Sequence, residues 1–481
     1  LLVGTLACSE EGSDAIDNAI ISQTRKIGKI AENLSRYKLL DFKPFDPVSK
    51  RTEARIEGFD GSSFQVAKGA PQVILSLVSD KEAIISEIDE IDNAFASKGF
   101  RSLGVARSDL KGDWHYVGLI ALYDPPREDS AETIKTANEM GVKVKMVTGD
   151  HVAIAKEIAH QVNLGSNIVQ ASDFIDQSDD KAKEIIERVD GFAQVFPEHK
   201  YRIVALLQAA GHIVGMTGDG VNDAPALKKA DAGIAVAGAT DAAKSAAEIV
   251  FTRPGISVII DAIEESRKIF QRMNNYAVYR IAETIRVLIF LTLSILIFSF
   301  YPVTAVMIVL IALLNDAPIM TIAYDFVKIS KKPVRWNMSE VLALATYLGI
   351  IGVIASFILF FLAERVLHFD RTTIQTFMFL KLAVAGHLTI FLTRTGRYHF
   401  WTTPYPSSLL FWSAILTKLL ATLIAVYGVF MTPIGWKLAG FLWAYALISF
   451  IITDYLKVYL FSRIDMTRIK LPFIPNKRLK S

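Results

Sequence analysis

Apolar and polar positions follow two regimes along this chain, and the change falls between about Glu265 and Tyr276. Before it, apolar runs are short and cut by charge. Thr52-Glu53-Ala54-Arg55-Ile56 and Phe64-Gln65-Val66-Ala67 alternate as half-buried strands do, while Asp14 to Glu32 is helical in pattern. After about Leu119, strands and helices take turns. Ser130 to Met140 reads as a helix, and Val142 to Val147 as a strand that delivers Thr148-Gly149-Asp150. His151 to Gln161 is a helix again, and Ile168–Gln170 and Ala193–Phe196 are short strands, the second followed by Pro197-Glu198-His199-Lys200. His212 to Gly215 is an apolar approach to an acidic, glycine-rich turn. This alternation predicts a doubly wound, mainly parallel α/β sheet whose ligands gather at the strands' carboxyl ends. Beyond Tyr276, apolar runs long enough to cross a bilayer, about 20 residues each, dominate. Six are expected: 276–300, 303–326, 341–363, 377–393, 409–431 and 436–461, the fourth interrupted by Lys381 and His387. The fold class is therefore an α/β part followed by an all-α bundle of six transmembrane helices.

Composition sharpens this only at the margins. Apolar residues make up 52% and charged residues 21%, an average that conceals the split. The net charge of +3 gives no electrostatic basis for a nucleic-acid partner. Cys8 is the sole cysteine, which excludes a disulfide framework and a cysteine metal cluster. Leu1-Leu2-Val3 opens inside an apolar helical pattern, without Met or signal peptide, so the chain is expected to be the downstream part of a longer protein. Basic residues cluster in alternate loops: Lys328, Lys331, Lys332 and Arg335; Arg394 and Arg397; then Arg463 and the residues after it. By the positive-inside rule the α/β part and the C-terminus are cytoplasmic.

The chemistry lies at the expected strand ends. Met216-Thr217-Gly218-Asp219-Gly220-Val221-Asn222-Asp223-Ala224-Pro225 packs hard oxygen ligands into one turn, as Mg²⁺ and a phosphoryl group require. Thr148 and the Gly149 amide suit phosphate oxygens, and Lys200 suits their charge. Asp219 suits the metal, with Asn222 and Asp223 steadying its shell. Asp150 fits either this site or the N-terminus of the helix that follows. Phe45 in Pro44-Phe45-Asp46-Pro47, with Lys50 close by, offers an aromatic face beside a cation, which is either a nucleotide seat or a core contact.

The full run from Met216 to Pro225, continued to Gly233, is similar to the hinge signature of the P-type ATPases, cation pumps built on a haloacid dehalogenase-type domain. The resemblance implies ATP and Mg²⁺ as cofactors, with Asp219 and Asp223 at the metal. It implies that Phe45 stacks on adenine, that Lys50, Lys68 and Gly69 line the same pocket, and that Arg107 reaches ATP phosphate. Catalytic roles fall on Thr148, Gly149, Asp150, Lys200, Asn222 and Asp223. It also divides the chain: residues 1–119 as nucleotide-binding domain, 120–260 as the C-terminal portion of the phosphorylation domain, 261–275 as stalk, 276–462 as membrane domain and 463–481 as a short basic tail. The family's phosphorylated aspartate, in Asp-Lys-Thr-Gly-Thr, is not found in these residues. It is expected upstream, and the chain alone is expected to be inactive.

Charges inside membrane spans are costly and therefore functional candidates. Asp316, in Leu313-Leu314-Asn315-Asp316-Ala317-Pro318, is one, with Pro318 expected to break the helix beside it. Arg286 is another, and Glu283 one turn before it is an alternative local partner. Asn315-Asp316 and Arg286 resemble the plasma-membrane proton pumps of plants and fungi, which implies a proton carried on Asp316 in the plasma membrane; fungal pumps have His in place of Arg286. Tyr324-Asp325 matches the fungal form. Two other readings stay open: a pump for Na⁺ or K⁺, and a non-catalytic nucleotide-binding membrane subunit. The expected partners are ATP, a proton or other monovalent cation, the lipid bilayer and, in some assemblies, further copies of the chain.

Overall fold

The computed structural model describes residues 1–9, 14–46, 49–79 and 81–463, and divides into two units, Leu1–Val258 and Ile259 onward. The basic tail expected after Arg463 lies outside the described residues, as does Pro47.

The first unit holds three sheets. Five antiparallel strands run in sequence order, β1 (Lys38–Asp46), β2 (Arg51–Glu57), β3 (Ser63–Gly69), β4 (Arg101–Ser108) and β5 (Trp114–Leu122). Period-two alternation buries Thr52, Ala54 and Ile56 of β2 and Phe64 and Val66 of β3. The apolar four, Ala54, Ile56, Phe64 and Val66, form one core with Leu6 and Ala7. Ala67 and Ala106 pack with Ile74 of the short helix Pro71–Leu75, a second cluster. Helix α1 (Ala15–Lys26) is capped by Asp14, whose side chain accepts from Ile16 and Asp17 N–H groups. The helical pattern read to Glu32 is broken at Ile27, whose extended backbone separates a second helix, Gly28–Leu34. β5 carries the sheet through Leu122, paired with Arg101, three residues past the boundary read at 119.

The parallel part forms two three-stranded sheets. β6 (Met146–Val147), β7 (Ile168–Gln170) and β8 (Gly191–Ala193) lie in the order β6-β8-β7. β9 (Gly215–Gly218), β10 (Ala232–Ala235) and β11 (Ile249–Val250) lie in the order β11-β10-β9. Strand, turn and helix repeat as expected: β6 leads to α2 (Val152–Gln161), β8 to α3 (Pro197–Ala209), and β9 to a 3₁₀ turn Val221–Asp223 and α4 (Ala224–Lys229). The strand read from Val142 shrinks to Met146–Val147, because β6 ends its sheet and pairs on one side only. β9 begins at Gly215, later than the apolar run suggests. Phe174, Ile186, Phe192 and Ile203 fill one core, and Val204, Val214, Ala226 and Ala230 seat α3 against α4.

The second unit carries six helices long and apolar enough to span a membrane, among the described residues. They are α5 (Ser257–Phe298), α6 (Ala305–Thr321), α7 (Met338–Phe361), α8 (Arg371–Thr393), α9 (Ser408–Tyr427) and α10 (Gly435–Arg463). Residues 261–275, read as a stalk, form early turns of α5. α8 carries the most polar window of the six but for α10, yet its window is 83% buried against 22–39% for the rest. That explains Lys381 and His387: α8 is the central helix, so its polar groups meet protein instead of lipid. The end of α8 is sealed by α10, where Lys457 donates to the carbonyls of Leu392 and Tyr398 and pairs with Asp454 at 3.0 Å. Pro318 does not break α6, which continues to Thr321. Lacking an N–H, it leaves the Leu314 carbonyl four residues back without its helical donor.

Candidate functional site

Two strands bring the chemistry to one edge. β6 releases the chain at Thr148, whose N–H donates to the Phe192 carbonyl and whose carbonyl accepts from Val195 N–H. That ties the Thr148 loop to the segment entering α3, where Lys200 sits in the first turn. β9 releases the chain at Asp219, whose carbonyl accepts from Thr240 N–H at 2.8 Å. Lys200 then bridges the two sheets: its Nζ lies 2.6 Å from Asp223 Oδ1. Asp223 Oδ2 accepts from the N–H groups of Asp219 and Gly220, both at 3.2 Å. The acidic turn is therefore closed on its own carboxylate. Gly218 is required for it, because a Cβ there would lie 2.5 Å from Cβ of Asp223.

This geometry sorts the expected residues. Asp223 meets Lys200 on one oxygen and two backbone N–H groups on the other, so it orders the turn. Asp219 and Asn222 are exposed at the edge. A single free carboxylate fits Mg²⁺, which keeps several waters and takes its remaining oxygens from phosphate. Among the described residues no group of three or more His, Cys, Asp or Glu side chains could hold a metal. Thr148 Oγ1 and Asp150 Oδ2 are 2.9 Å apart, and Gly149 is exposed between them. Neither Thr148 nor Asp150 caps α2; His151 does, its side chain accepting from Ala153 N–H. Asp150 is held instead by Arg101 of β4 in a two-pronged grip, Nε to Oδ1 at 2.8 Å and Nη2 to Oδ2 at 2.9 Å. The hydrogen bond it donates to Asp150 raises the Arg101 guanidinium above its ordinary pKa.

Arg101 was not singled out from the sequence, and the strand register explains why it matters. Gly69 pairs with Gly104, Val66 with Arg107, and Arg101 with Leu122. Arg107 thus lies three residues along β4 from the Gly69 end, on the side away from Arg101, and its guanidinium sits 3.8 Å over the Phe64 ring. Arg101, not Arg107, faces the Thr148–Asp150 loop. At the Gly69 end of β1–β3, Phe45 is 58% exposed. Lys50 is exposed too, with φ at 51°. Gly69 lets the chain close, since a Cβ there would stand 2.5 Å from the Lys50 carbonyl. Lys68 is committed: buried, it pairs with Asp17 at 2.7 Å and donates to the Ala7 carbonyl at 3.0 Å and Thr52 Oγ1 at 3.1 Å. Asp17, on α1, carries no motif that would have marked it.

In the second unit Asn315 and Asp316 point apart. Asn315 is 3% exposed, and its Oδ1 has no hydrogen-bond partner. Asp316 lies on the exposed face of α6 with Leu313 and Met320. Arg286 does not pair with Asp316. Its Nη2 bonds Glu283 Oε2 on the same helix, and its Nη1 donates to Thr389 Oγ1 of α8 at 3.2 Å. Gly352 and Gly386 make the room; a Cβ at Gly352 would lie 2.5 Å from Arg286 Cδ. The local partner thus wins over the distant one. Asp325 is an anchor, joining Arg394 Nε at 2.9 Å and Ser407 N–H at 2.9 Å.

Comparison with known proteins fits this layout. Residues 4–231 match the family model for haloacid dehalogenase-like hydrolases. Over 472 residues, 97% of its length, the chain is 52% identical to a protein of Methanocaldococcus jannaschii described as "Putative cation-transporting ATPase MJ1226". It spans 58% of that relative. A haloacid dehalogenase-like domain with mixed α/β sheets thus precedes a helical region with six candidate spans.

Proposed function

We propose that this chain is the nucleotide-binding, phosphorylation and C-terminal membrane part of a P-type cation pump, and that the cation is a proton. The observation that carries the reading is the paired strand ends. β6 and β9 each end a parallel sheet, carry Thr148-Gly149-Asp150 and Gly218-Asp219-Gly220, and are joined through Lys200 and Asp223. One further parallel strand between them would pair with both and bring an aspartate nucleophile between Thr148, Lys200 and Asp219. The family's Asp-Lys-Thr-Gly-Thr segment supplies such a strand.

The residues then divide the work. ATP lies with its base against Phe45 and its phosphates toward Arg101, which releases Asp150 to meet them. Thr148 Oγ1 and the Gly149 amide hold the transferred phosphoryl oxygens, and Lys200 neutralises their charge while remaining tied to Asp223. Asp219 would hold Mg²⁺, which when bound would offset the charge of the transferred phosphoryl group. Both sheets and the basic loops after α6 and α8 face the cytoplasm of a plasma membrane on this reading.

The printed name of the relative speaks of a cation without naming it. A proton is favoured because Glu283 is neutralised by Arg286, leaving Asp316 as the free carboxylate of the apolar stretches 276–298 and 305–321. A larger bare cation needs several more oxygens; Ca²⁺ takes about six to eight. The test is ATP-driven acidification of sealed inside-out vesicles carrying the full-length protein, beside Asp316→Asn. Acidification lost in the mutant with Mg·ATP binding intact supports the reading. A wild type that hydrolyses ATP without acidifying the lumen under any counter-ion refutes the proton, and a cation screen of ATPase activity then finds the ion.

A further inference from the structure

Between α5, α7, α8 and α10 the second unit holds a cavity of about 40 Å³, lined by Arg286, Lys381, Thr389, Tyr445, Ser449 and Thr453 among others. A water needs roughly 10–15 Å³ on this scale, so there is room for about three or four. A hydrated metal ion does not fit. The polar lining gives such waters the partners they require.

Lys381 is the group this cavity leaves unexplained. It is 2% exposed in the middle of α8. Its Nζ donates to two acceptors on α7, the Gly352 carbonyl at 3.3 Å and Ser356 Oγ. Ser356 donates its own proton to the Gly352 carbonyl at 2.8 Å, so its oxygen is free to accept. Among the described residues no carboxylate lies within ion-pair distance of Lys381. The charged groups that act on it are Arg286 and Glu283 of α5, already joined to each other. α10 adds the Tyr445 hydroxyl, which donates to the Ala355 carbonyl at 2.7 Å. α7 adds only Ser356 and backbone.

This arrangement accepts both protonation states without moving. A neutral amine has two N–H donors and a lone pair; an ammonium has three N–H donors. The two acceptors on α7 use two N–H groups in either state. The third direction is left to cavity water, which donates to the lone pair or accepts from the third N–H. An ionisable group at membrane depth beside a water-sized cavity is the usual form of a proton relay.

We propose that Lys381 is a second proton-binding group of the transport path, exchanging its proton with the water of this cavity. In the step an Nζ–H bond breaks and an O–H bond to cavity water forms. The electron pair stays on nitrogen, and Arg286 keeps its charge through Glu283. The inference rests on the proton-pump reading.

The experiment uses the full-length protein in proteoliposomes, as wild type, Lys381→Met and Lys381→Arg. It reads protons moved per ATP and the pH profile of ATPase activity. Methionine is fixed neutral and arginine fixed charged, so neither can cycle. Both are expected to lower protons per ATP by about twofold or more, as loss of a relay group in series with Asp316 does, and to flatten the limb of the pH profile that Lys381 provides. An arginine variant that restores wild-type ratio and profile makes Lys381 a strut between α7 and α8 and overturns the inference. So does a methionine variant with both unchanged. If methionine loosens the fold, Ser356→Ala keeps the amine and removes one acceptor; the pH profile should shift, and an unshifted profile overturns the inference as well. A wild type that moves no protons fails differently, by refuting the ion itself.

Discussion

Lys200→Met tests the joint between the two parallel sheets. It removes the cation from Asp223 and leaves a carboxylate 8% exposed, held only by the Asp219 and Gly220 N–H groups. Breaking a fully buried pair costs about 3–5 kcal/mol, and breaking an exposed one about 0.2–1. Lys200 is 17% exposed and Asp223 keeps two donors, so an intermediate cost of about 2 kcal/mol follows. The opening should be local, because Asp223 closes the turn that follows β9. Hydrogen-exchange mass spectrometry on the full chain in detergent reads it directly. Peptides covering 215–235 should exchange about 30-fold faster, the factor that 2 kcal/mol represents, while β1–β5 peptides stay unchanged. Asp223→Asn in the Lys200→Met background removes the stranded charge and should recover most of the loss, a coupling of about 1.5 kcal/mol. Exchange within about twofold of wild type in Lys200→Met, or strictly additive single and double variants, would show that the pair does not order this edge.

Two further outcomes are specific to the packing. Cys8 is 5% exposed, and its burial pushes the thiol up to about 12. The folded chain then keeps a proton that the unfolded chain loses, so stability falls as pH rises above about 9, by about 1.4 kcal/mol per pH unit. Cys8→Ala should remove that slope, and the native thiol should resist alkylation at pH 8 until denaturant is added. Gly352→Ala drives a Cβ into Arg286, and overpacking of this kind costs about 1–3 kcal/mol. Gly440→Ala on α10, with nothing within 4 Å of its new Cβ, should instead gain roughly 0.5–1 kcal/mol. Melting in detergent should separate the two, and equal melting points would show that Gly352 makes no room for Arg286.

What the sequence revealed of the first unit is what local pattern can carry. Alternation found β2 and β3, strand-then-glycine turns found Thr148 and Asp219, and both stand at strand ends. The edges of elements were less legible. The run from Val142 looks like a strand, but a strand also needs partners, and β6 pairs on one side over two residues. Arg101 was missed for the same reason. Its neighbour Asp150 is 49 residues away, and only the β4–β5 register shows that Arg101, not Arg107, lies toward it. Lys68 was read from its motif as a pocket lysine, while its partner Asp17 sits in an ordinary amphipathic helix.

In the second unit the spans were legible from length and hydropathy alone, but the direction in which each polar group faces was not. The same few residues of α6 hold a buried Asn315 and an exposed Asp316, because neighbouring positions on a helix lie about 100° apart. Arg286 had two partners open to it in the sequence. The choice was made by α7 and α8, where Gly352, Gly386 and Thr389 receive its side chain and hold it beside Glu283. The weak apolar signal of the fourth span, which made it the least secure from sequence, has the same origin. A helix surrounded by protein can keep Lys381 and His387 where a lipid-facing helix cannot. The polar interruptions of the hydropathy pattern therefore mark the helix around which the others pack. Pro318 adds to this centre. The Leu314 carbonyl it leaves without a helical donor faces the His387 ring of α8. The polar groups of α5, α6 and α8 thus converge inside the bundle and leave Asp316 alone on the outer face of α6. A carboxylate in that position is accessible to a further helix, whereas Glu283 is closed off by Arg286. That difference, more than the presence of either charge in the sequence, makes Asp316 the group to mutate first.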